Sequence, residues 1–452
     1  MAAHATFRLR SGDDLRAEAA RLGLDIPWRD DLSVLTGPAE LAGREVPNRL
    51  AVLPMEGADA GPDGAPSETT RRRYRRYAAG GAGLIWCEAT SVRPEGRSNP
   101  GQLLLTEANV GGFARLVDDM RAAAKKEWGA ARRPLLILQL THSGRFAKPE
   151  GVPRPRIVKH DPHLDPLHGL PPDYPLVPDA ELASVRDDFV EAADLAAAAG
   201  FDGVDIKACH GYLVSETLAA HGREDSRYGG PFENRARLLL ETVRLVREEA
   251  PDHLVTSRLS ATDLVPFPYG FGMDPDAPAR MDLAESKALA GLLAGLGVRF
   301  LALSLGVPAW KPHLGRPFDE PVPGGPTPPE HPLEGVARHL AVATEIQRAA
   351  PGVAVVGAGY SWLRDLGPHV GAAMVAAGRT AVVGFGRGAL AYPDLPKDLA
   401  GRGRADPGKV SKQQRTLRFD HPVESLEQPG FVREEIEYAV HQHGIKAVPA
   451  KR

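Results

Sequence analysis

The sequence is poor in cysteine, in long apolar runs and in excess charge of either sign. Its only cysteines, Cys87 and Cys209, exclude a disulfide framework and a metal cluster held by four thiolates. No apolar run approaches the roughly 20 residues that a membrane-spanning helix needs, and residues 1–10 lack the apolar core of a signal peptide. Lysine and arginine number 55 against 58 aspartates and glutamates, which predicts no nucleic-acid or membrane partner. We therefore expect a cytoplasmic protein without a metal site, and a homo-oligomeric state is compatible with the sequence.

Short apolar runs alternate with longer segments of helical periodicity along most of the chain. In the segment 181–199, Leu182, Val185 and Phe189 fall on one helical face, and Gly200 ends the pattern. Eight short runs are predicted strands: 50–54, 83–88, 135–141, 203–207, 254–260, 300–304, 353–357 and 381–384. Eight apolar strands separated by helices predict an α/β fold, a closed (β/α)8 TIM barrel. An open, doubly wound sheet is the alternative.

The chain divides into three predicted regions. Residues 1–45 form an N-terminal extension, residues 46–401 form the barrel, and the charged segment 402–452 forms a C-terminal extension. Two long proline-rich loops, 145–178 and 306–332, follow the third and sixth strands. Loops of this length in a compact domain are typically lids or binding loops. Both leave the carboxyl ends of barrel strands, the face on which such barrels bind their ligands.

Three proton-capable side chains follow the predicted fourth strand. Lys207 and His210 are three residues apart, and Tyr212 comes two residues later, so one turn can direct all three at one substrate. Such a set suits a carbonyl or an anion held by cations beside a phenolic proton donor.

Several motifs, taken in order, resemble the old yellow enzyme family of flavin oxidoreductases. They are 49–56, 80–90 with Gly96 and Arg97, 139–145, 210–213, 228–230 with 233–235, and 386–387. Their order and spacing match from about residue 7 to about residue 394. The resemblance implies an FMN-bearing barrel that takes hydride from NADH or NADPH and passes it to an activated alkene, a small-molecule substrate.

The resemblance also implies flavin contacts at several strand ends. The phosphate is expected at two glycine clusters, where backbone N–H groups and a cation can bind an anion. An amide and a cation are expected at the pyrimidine edge, because reduced flavin gathers negative charge there. Without the resemblance, the glycines fit tight turns and the arginine fits an ordinary ion pair. The implied cofactor residues are Pro54, Met55, Glu56, Ala89, Gln139, Arg258, Gly357, Gly359, Gly386 and Arg387.

In the substrate site, the family pattern implies that His210 and its partner hold a substrate carbonyl while Tyr212 protonates the neighbouring carbon. His142 is a candidate second donor and Trp310 a candidate cover for the pocket. For His142, a loop-bracing histidine is the alternative.

Two residues depart from the family pattern. Lys207 stands where relatives commonly carry histidine, which favours a carboxylate, phenolate or enolate-forming substrate; alternatively it pairs with Glu88 or Asp205 and supports the loop. Glu56 falls near a position where many relatives carry threonine or cysteine. As an anion beside the flavin it would disfavour the reduced form; alternatively it lies in a salt bridge away from the cofactor.

Four functional hypotheses follow. The first is an FMN-dependent, ene-reductase-like oxidoreductase, and the second is the same site working in the oxidative direction, as a dehydrogenase or demethylase. The third is a flavin-free barrel lyase or isomerase that uses Lys207 as a Schiff-base or general-base lysine. The fourth is a binding protein that kept flavin but lost turnover.

Overall fold

A parallel barrel forms the centre of the molecule. The computed structural model describes residues 4–319, 326–406 and 408–409. A short antiparallel hairpin, β1 (Ala39–Leu41) and β2 (Arg44–Val46), precedes the barrel. The barrel strands are β3 (Leu50–Val52), β4 (Leu84–Ser91), β5 (Leu135–Thr141), β6 (Gly203–Ala208), β7 (Leu254–Ser260), β8 (Phe300–Ser304), β9 (Ala354–Gly357) and β10 (Val382–Phe385).

Each barrel strand pairs in parallel with the next, and β10 closes the ring by pairing with β3. The predicted (β/α)8 TIM barrel is therefore confirmed, and the open-sheet alternative is wrong. Every strand bound lies within three residues of its prediction. Near-continuous apolar runs were a reliable signal here because every barrel strand is buried on both faces.

Helices cover the outside of the barrel. Within the described residues they are α1 (Gly12–Leu22), α2 (Ser33–Thr36), α3 (Glu68–Ala79), α4 (Val110–Trp128), α5 (Asp179–Ala198), α6 (Leu213–Leu218), α7 (Phe232–Glu249), α8 (Ala284–Gly295), α9 (Pro312–Gly315), α10 (Pro332–Ala349), α11 (Gly367–Ala376), α12 (Arg387–Ala391) and α13 (Leu395–Arg402). Helix α5 matches the predicted segment 181–199, and it buries Leu182, Val185 and Phe189 as the periodicity predicts. No helix in the described part of the chain combines the length and apolarity needed to cross a membrane.

Successive residues on a strand point alternately into the barrel and toward the helices. On β4, Leu84 and Trp86 belong to the interior cluster, whereas Ile85 and Cys87 pack in the outer layer. The hairpin contributes Val46 to the interior cluster, so it closes the amino-terminal end of the barrel. The opposite, carboxyl end carries two cavities.

The N-terminal region packs closely on the barrel. Leu15 of α1 is fully buried in the outer core. The Phe7 ring meets the Trp362 ring edge to face, with 5.1 Å between centroids, and Trp28 stacks on His369 at 4.4 Å. At the other terminus, most of the predicted 402–452 extension lies outside the described residues.

Candidate functional site

Two adjoining cavities open at the carboxyl ends of the barrel strands. The Tyr212 cavity encloses about 1080 Å³ of open space, and its lining includes Glu56, Lys207, His210 and Tyr212. The Gly386 cavity encloses about 860 Å³, and its lining includes Gly359 and Gly386. Residues common to both linings are Met55, Arg258, Gly315, Arg316 and Arg387. Residues as far apart in sequence as Leu53 and Arg387 thus build one continuous site, of the size in which cofactors bind.

The second proline-rich loop, which follows β8, roofs both cavities. Pro308 and Ala309 line the Tyr212 cavity, and Pro317 and Phe318 line the Gly386 cavity. Its Asp319 carboxylate accepts hydrogen bonds from the Trp362 indole and from the backbone N–H of Phe7. The loop is therefore anchored to the N-terminal segment at the far end of the site.

Glu56, in the lining of the Tyr212 cavity, accepts hydrogen bonds from three side chains. Its Oε1 accepts hydrogen bonds from Lys207 Nζ at 3.2 Å and from the Tyr212 hydroxyl at 3.0 Å. Its Oε2 accepts one from Ser98 Oγ at 2.8 Å. Lys207 Nζ also lies 3.4 Å from the centre of the Tyr212 ring. We call these four residues the Glu56 cluster.

The ion pair in this cluster is almost dry, since the side chains of Lys207 and Glu56 are 4% and 5% exposed. Burial lowers the pKa of Lys207, while the charge of Glu56 pulls it back up. The alternative interpretation, that Lys207 pairs with a nearby carboxylate, is confirmed, but the partner is Glu56 and the two suggested examples, Glu88 and Asp205, are wrong. Glu56 and Lys207 are 151 residues apart, so only the closed barrel reveals their pairing.

Glu88 and Asp205, the two carboxylates suggested from the sequence, bind other residues. Glu88 accepts from Arg73 at 2.6 Å and from the backbone N–H of Gly57 at 2.6 Å. Asp205 accepts from Gln139 Nε2 at 2.7 Å and from Thr256 Oγ1 at 2.8 Å, and burial raises its pKa. Because Asp205 occupies the Gln139 amide nitrogen, the Gln139 carbonyl oxygen is left as an acceptor in the cavity lining.

His210 is held in an unusual backbone conformation at the rim of β6. Its φ of 66° is in the left-handed region, which a side chain with Cβ seldom adopts. Its backbone N–H donates to Ser260 Oγ at 3.1 Å, and its Nε2 lies 2.6 Å from Ser304 Oγ. Burial lowers the pKa of His210 well below its ordinary value, and the charge of Arg258 adds to the effect. The ring is consequently neutral near pH 7.

Arg258 brings an uncompensated charge into the site. It is 9% exposed, its Nη1 donates to the Pro54 carbonyl at 3.2 Å, and its buried Nε has no hydrogen-bond partner. Across residues 4–319, 326–406 and 408–409, no carboxylate forms an ion pair with it. Burying an arginine without a directly bound anion is costly, so Arg258 suits a site that binds an anionic group.

The glycine clusters divide between the cavity and the strand behind it. Gly359, with a φ of 93°, and Gly386 line the Gly386 cavity, and a Cβ on Gly386 would stand 3.1 Å from Met55 Sδ. Gly357, expected at the phosphate, instead lies within β9, where a Cβ would stand 2.8 Å from the Tyr360 hydroxyl. Its smallness serves packing and does not open the cavity.

The two predicted substrate contacts lie off the cavity. His142 Nδ1 accepts from the backbone N–H of Gly144 at 3.0 Å, and burial lowers its pKa to about 3. It therefore braces the loop, which was the alternative interpretation. Trp310 packs at the edge of an apolar cluster containing Phe146 and Tyr212, with its ring 5.4 Å from that of His163. Neither residue is in the lining of the two cavities.

Comparison with known proteins decides the family. The model of the NADH:flavin oxidoreductase / NADH oxidase family matches residues 35–275, more than half of the chain. The chain belongs to this family. The resemblance to old yellow enzymes is confirmed, and FMN is the cofactor of the family.

Individual relatives are similar over part of their length. An NADH oxidase of Thermoanaerobacter brockii is 28% identical over 355 residues, which are 77% of this chain and 48% of that protein. An NADPH dehydrogenase of Bacillus licheniformis is 33% identical over 232 residues, 50% of this chain and 63% of that protein. The chain thus spans less than two thirds of the length of either relative.

Solved structures share the fold. An old yellow enzyme homologue from Zymomonas mobilis superposes with a TM-score of 0.58 at 22% identity, covering 83% of this chain and 96% of the other. A morphinone reductase variant in complex with tetrahydroNAD gives 0.59 at 24% identity, covering 83% and 93%. At these identities the likeness establishes the barrel alone.

The site fits the cofactor of the family. FMN carries a phosphate and gathers negative charge on its ring edge when reduced, and the unpartnered Nε of Arg258 calls for an anion. The cavity shared by Arg258, Arg316 and Arg387 supplies three guanidinium groups. The absence of a Cβ on Gly386 keeps room beside Met55.

Proposed function

We propose that the chain is an FMN-dependent oxidoreductase that transfers hydride from NADH or NADPH to an oxygen-bearing unsaturated small molecule. The observation that carries this proposal is the convergence of His210, Tyr212 and the unpaired Arg258 on one cavity. Membership of the family and relatives named NADH oxidase and NADPH dehydrogenase support the electron donor. A cytoplasmic location and a homo-oligomeric state remain predictions.

For the cofactor, we assign its phosphate to the Gly386 cavity, with Arg387 and the backbone around Gly359 and Gly386. The pyrimidine edge would meet Arg258 and the free carbonyl oxygen of Gln139, an acceptor suited to a ring N–H. Bound FMN supplies a hydride donor and acceptor. The remaining edge would meet residues from the ends of β3 and β4, namely Pro54, Met55 and Ala89.

For the substrate, we assign the carbonyl oxygen to His210. A neutral imidazole can donate one hydrogen bond, and Ser304 Oγ at 2.6 Å fixes the ring orientation. Tyr212 is the group that exchanges a proton with the adjacent carbon. Lys207 lends less support to an anionic substrate than its charge suggests, because Glu56 already neutralises it.

The test is the visible spectrum of the purified protein, followed by anaerobic addition of NADH or NADPH and then of 2-cyclohexenone. We expect bound FMN, bleaching by one of the two nucleotides, and recovery of the oxidised spectrum with the enone. A protein that neither carries FMN nor takes it up on reconstitution contradicts the proposal.

The oxidative direction is the second candidate, and one observation favours it. The Tyr212 hydroxyl donates its hydrogen to a carboxylate, so in this state the tyrosine is arranged to accept a proton from a substrate. Bleaching of the flavin by a saturated ketone without nucleotide would identify this direction. The Schiff-base hypothesis loses support, because the Lys207 ammonium is held in a buried ion pair.

A further inference from the structure

Glu56 is a carboxylate in the substrate cavity whose role the proposed hydride transfer leaves open. Its Oε1 receives both the Lys207 ammonium and the Tyr212 hydroxyl, at 3.2 and 3.0 Å. A purely structural salt bridge would need only the lysine. The hydroxyl of the proton-exchanging tyrosine instead donates to the one carboxylate among the described residues that line the cavity.

We propose that Glu56 is a positioning residue that takes the proton of Tyr212, so that the pair removes a proton from the carbon next to a carbonyl held by His210. This inference rests on the proposed function for the placement of the substrate. The ligand class that it selects is a ketone, aldehyde or thioester with an acidic α-hydrogen.

The proton transfer balances without an oxidant. The α C–H bond breaks as its proton moves to Tyr212 Oη, and the former hydroxyl proton moves to Glu56 Oε1. The electron pair stays on the substrate as an enolate, whose oxygen receives the hydrogen bond of His210. Reversal with a solvent-derived proton exchanges the α-hydrogen, and the same proton removal is required for dehydrogenation.

The surroundings of Glu56 make this proton acceptance directional. Lys207 stands beside both partners, 3.2 Å from the Glu56 oxygen and 3.4 Å from the Tyr212 ring centre, so it stabilises negative charge on either. Ser98 donates to the second carboxylate oxygen at 2.8 Å and fixes its orientation. The other titratable or charged groups facing this cavity are Arg258, Arg316, Arg387 and His210.

Behind Glu56, the backbone is fixed by a second ion pair. The N–H of Gly57 donates to Glu88, which Arg73 holds at 2.6 Å. A Cβ on Gly57 would overlap the Arg73 guanidinium, so the loop lies directly on it. The backbone beside Glu56 is thereby fixed, and the Glu56 side chain extends to Lys207 and Tyr212.

The experiment measures α-hydrogen exchange of cyclohexanone in D2O by proton NMR, with the FMN-loaded protein and no nucleotide. We expect the wild-type protein to catalyse exchange above the buffer rate. Glu56→Gln should slow the exchange at least 30-fold. Tyr212→Phe should abolish it, and Glu56→Asp should restore part of the rate.

The matched control is Glu330→Gln, the same change at a buried carboxylate that pairs with Arg338 and lies outside both cavities. It should exchange within twofold of wild type. A second readout, ultraviolet difference titration, should show the Tyr212 phenol ionising at lower pH in Glu56→Gln, because the opposing carboxylate is gone and Lys207 remains.

Two results overturn the inference: no exchange by the wild-type protein, or exchange at the wild-type rate in a folded Glu56→Gln protein. Its failure is distinguishable from failure of the proposed function. Flavin bleaching by NADH or NADPH with normal exchange in Glu56→Gln rejects only the relay. Exchange that depends on Glu56 and Tyr212 in a protein whose flavin no nucleotide reduces rejects only the hydride donor.

Discussion

Two buried ion-pair clusters flank Gly57, and they differ in what they face. In the Arg73 cluster, Arg73 binds Asp59 and Glu88, each at 2.6 Å, behind the strands. In the Glu56 cluster, the carboxylate pairs with Lys207 at a longer 3.2 Å and also receives a phenol, beside the open space of the Tyr212 cavity.

The difference separates structural from chemical use of buried charge. The Arg73 cluster has one cation between two carboxylates and lines neither of the two cavities, so its effect is to fix the loop. The Glu56 cluster has a proton-bearing partner and a cavity, so its protonation can change during turnover. Burial and charge alone do not distinguish the two clusters, whereas the identity of the third partner does.

Removing the central cation of the Arg73 cluster should give the largest effect. In Arg73→Met, two carboxylates remain buried without their partner, which costs about 3–5 kcal/mol of unfolding free energy. Lys207→Met, the matched change in the other cluster, should cost less, about 1–3 kcal/mol, because water in the cavity can reach Glu56. Urea denaturation followed by circular dichroism measures both. Equal losses of unfolding free energy in the two variants would contradict the distinction between the clusters.

Two histidines show the same contrast between structural and chemical use. His142 lies behind the cavity and braces a loop, whereas His210 lines the cavity. Burial lowers the pKa of His142 to about 3 from an ordinary value near 6.5. Its stabilising contribution is therefore present above pH 6.5 and is lost as the pH falls toward 3. At pH 4.5 the loss amounts to about 2–3 kcal/mol.

His142→Asn, which keeps an acceptor for the Gly144 N–H, should flatten the dependence of stability on pH between 6.5 and 4.5. Urea unfolding at several pH values measures the difference between variant and wild type, which removes the contribution of the other histidines. Identical pH profiles would contradict this prediction, because they would show that His142 takes up its proton equally readily in the folded and unfolded states.

The barrel and the local part of the site could be predicted from the sequence. Apolar runs predicted eight strands because buried parallel strands need no alternation, and Lys207, His210 and Tyr212 are neighbours on one turn. Side-chain contacts between the ends of different strands could not be predicted from the sequence. Glu56 and Lys207, for example, come together only after the barrel closes. The orientation of His142 likewise depends on a tight turn at Gly144, whose φ is 56°.

Ser98 tests how strongly the Glu56 cluster is fixed. Ser98→Ala removes the 2.8 Å hydrogen bond to Glu56 Oε2, which should lower the unfolding free energy by about 1 kcal/mol. Thermal denaturation measures this loss. Ser226→Ala, which removes a 2.6 Å bond to Asp179 outside the site, is the matched control for stability. The phenol titration of Tyr212 should shift in Ser98→Ala alone, and a shift in both variants would contradict a local effect.

The smallest expected effect concerns Lys207 as an anion receptor. Because Glu56 already neutralises its ammonium group, removing both charges together in Lys207→Met/Glu56→Gln should change the affinity of the oxidised FMN protein for 4-hydroxybenzaldehyde by less than about threefold, under about 0.7 kcal/mol. Glu56→Gln should instead tighten binding of the phenolate by about tenfold, because the lysine charge becomes available. Titration of the long-wavelength charge-transfer band measures both. A large loss in the double variant would return the lysine to the role of anion receptor, and the two clusters would then differ in their ligand as well as in their third partner.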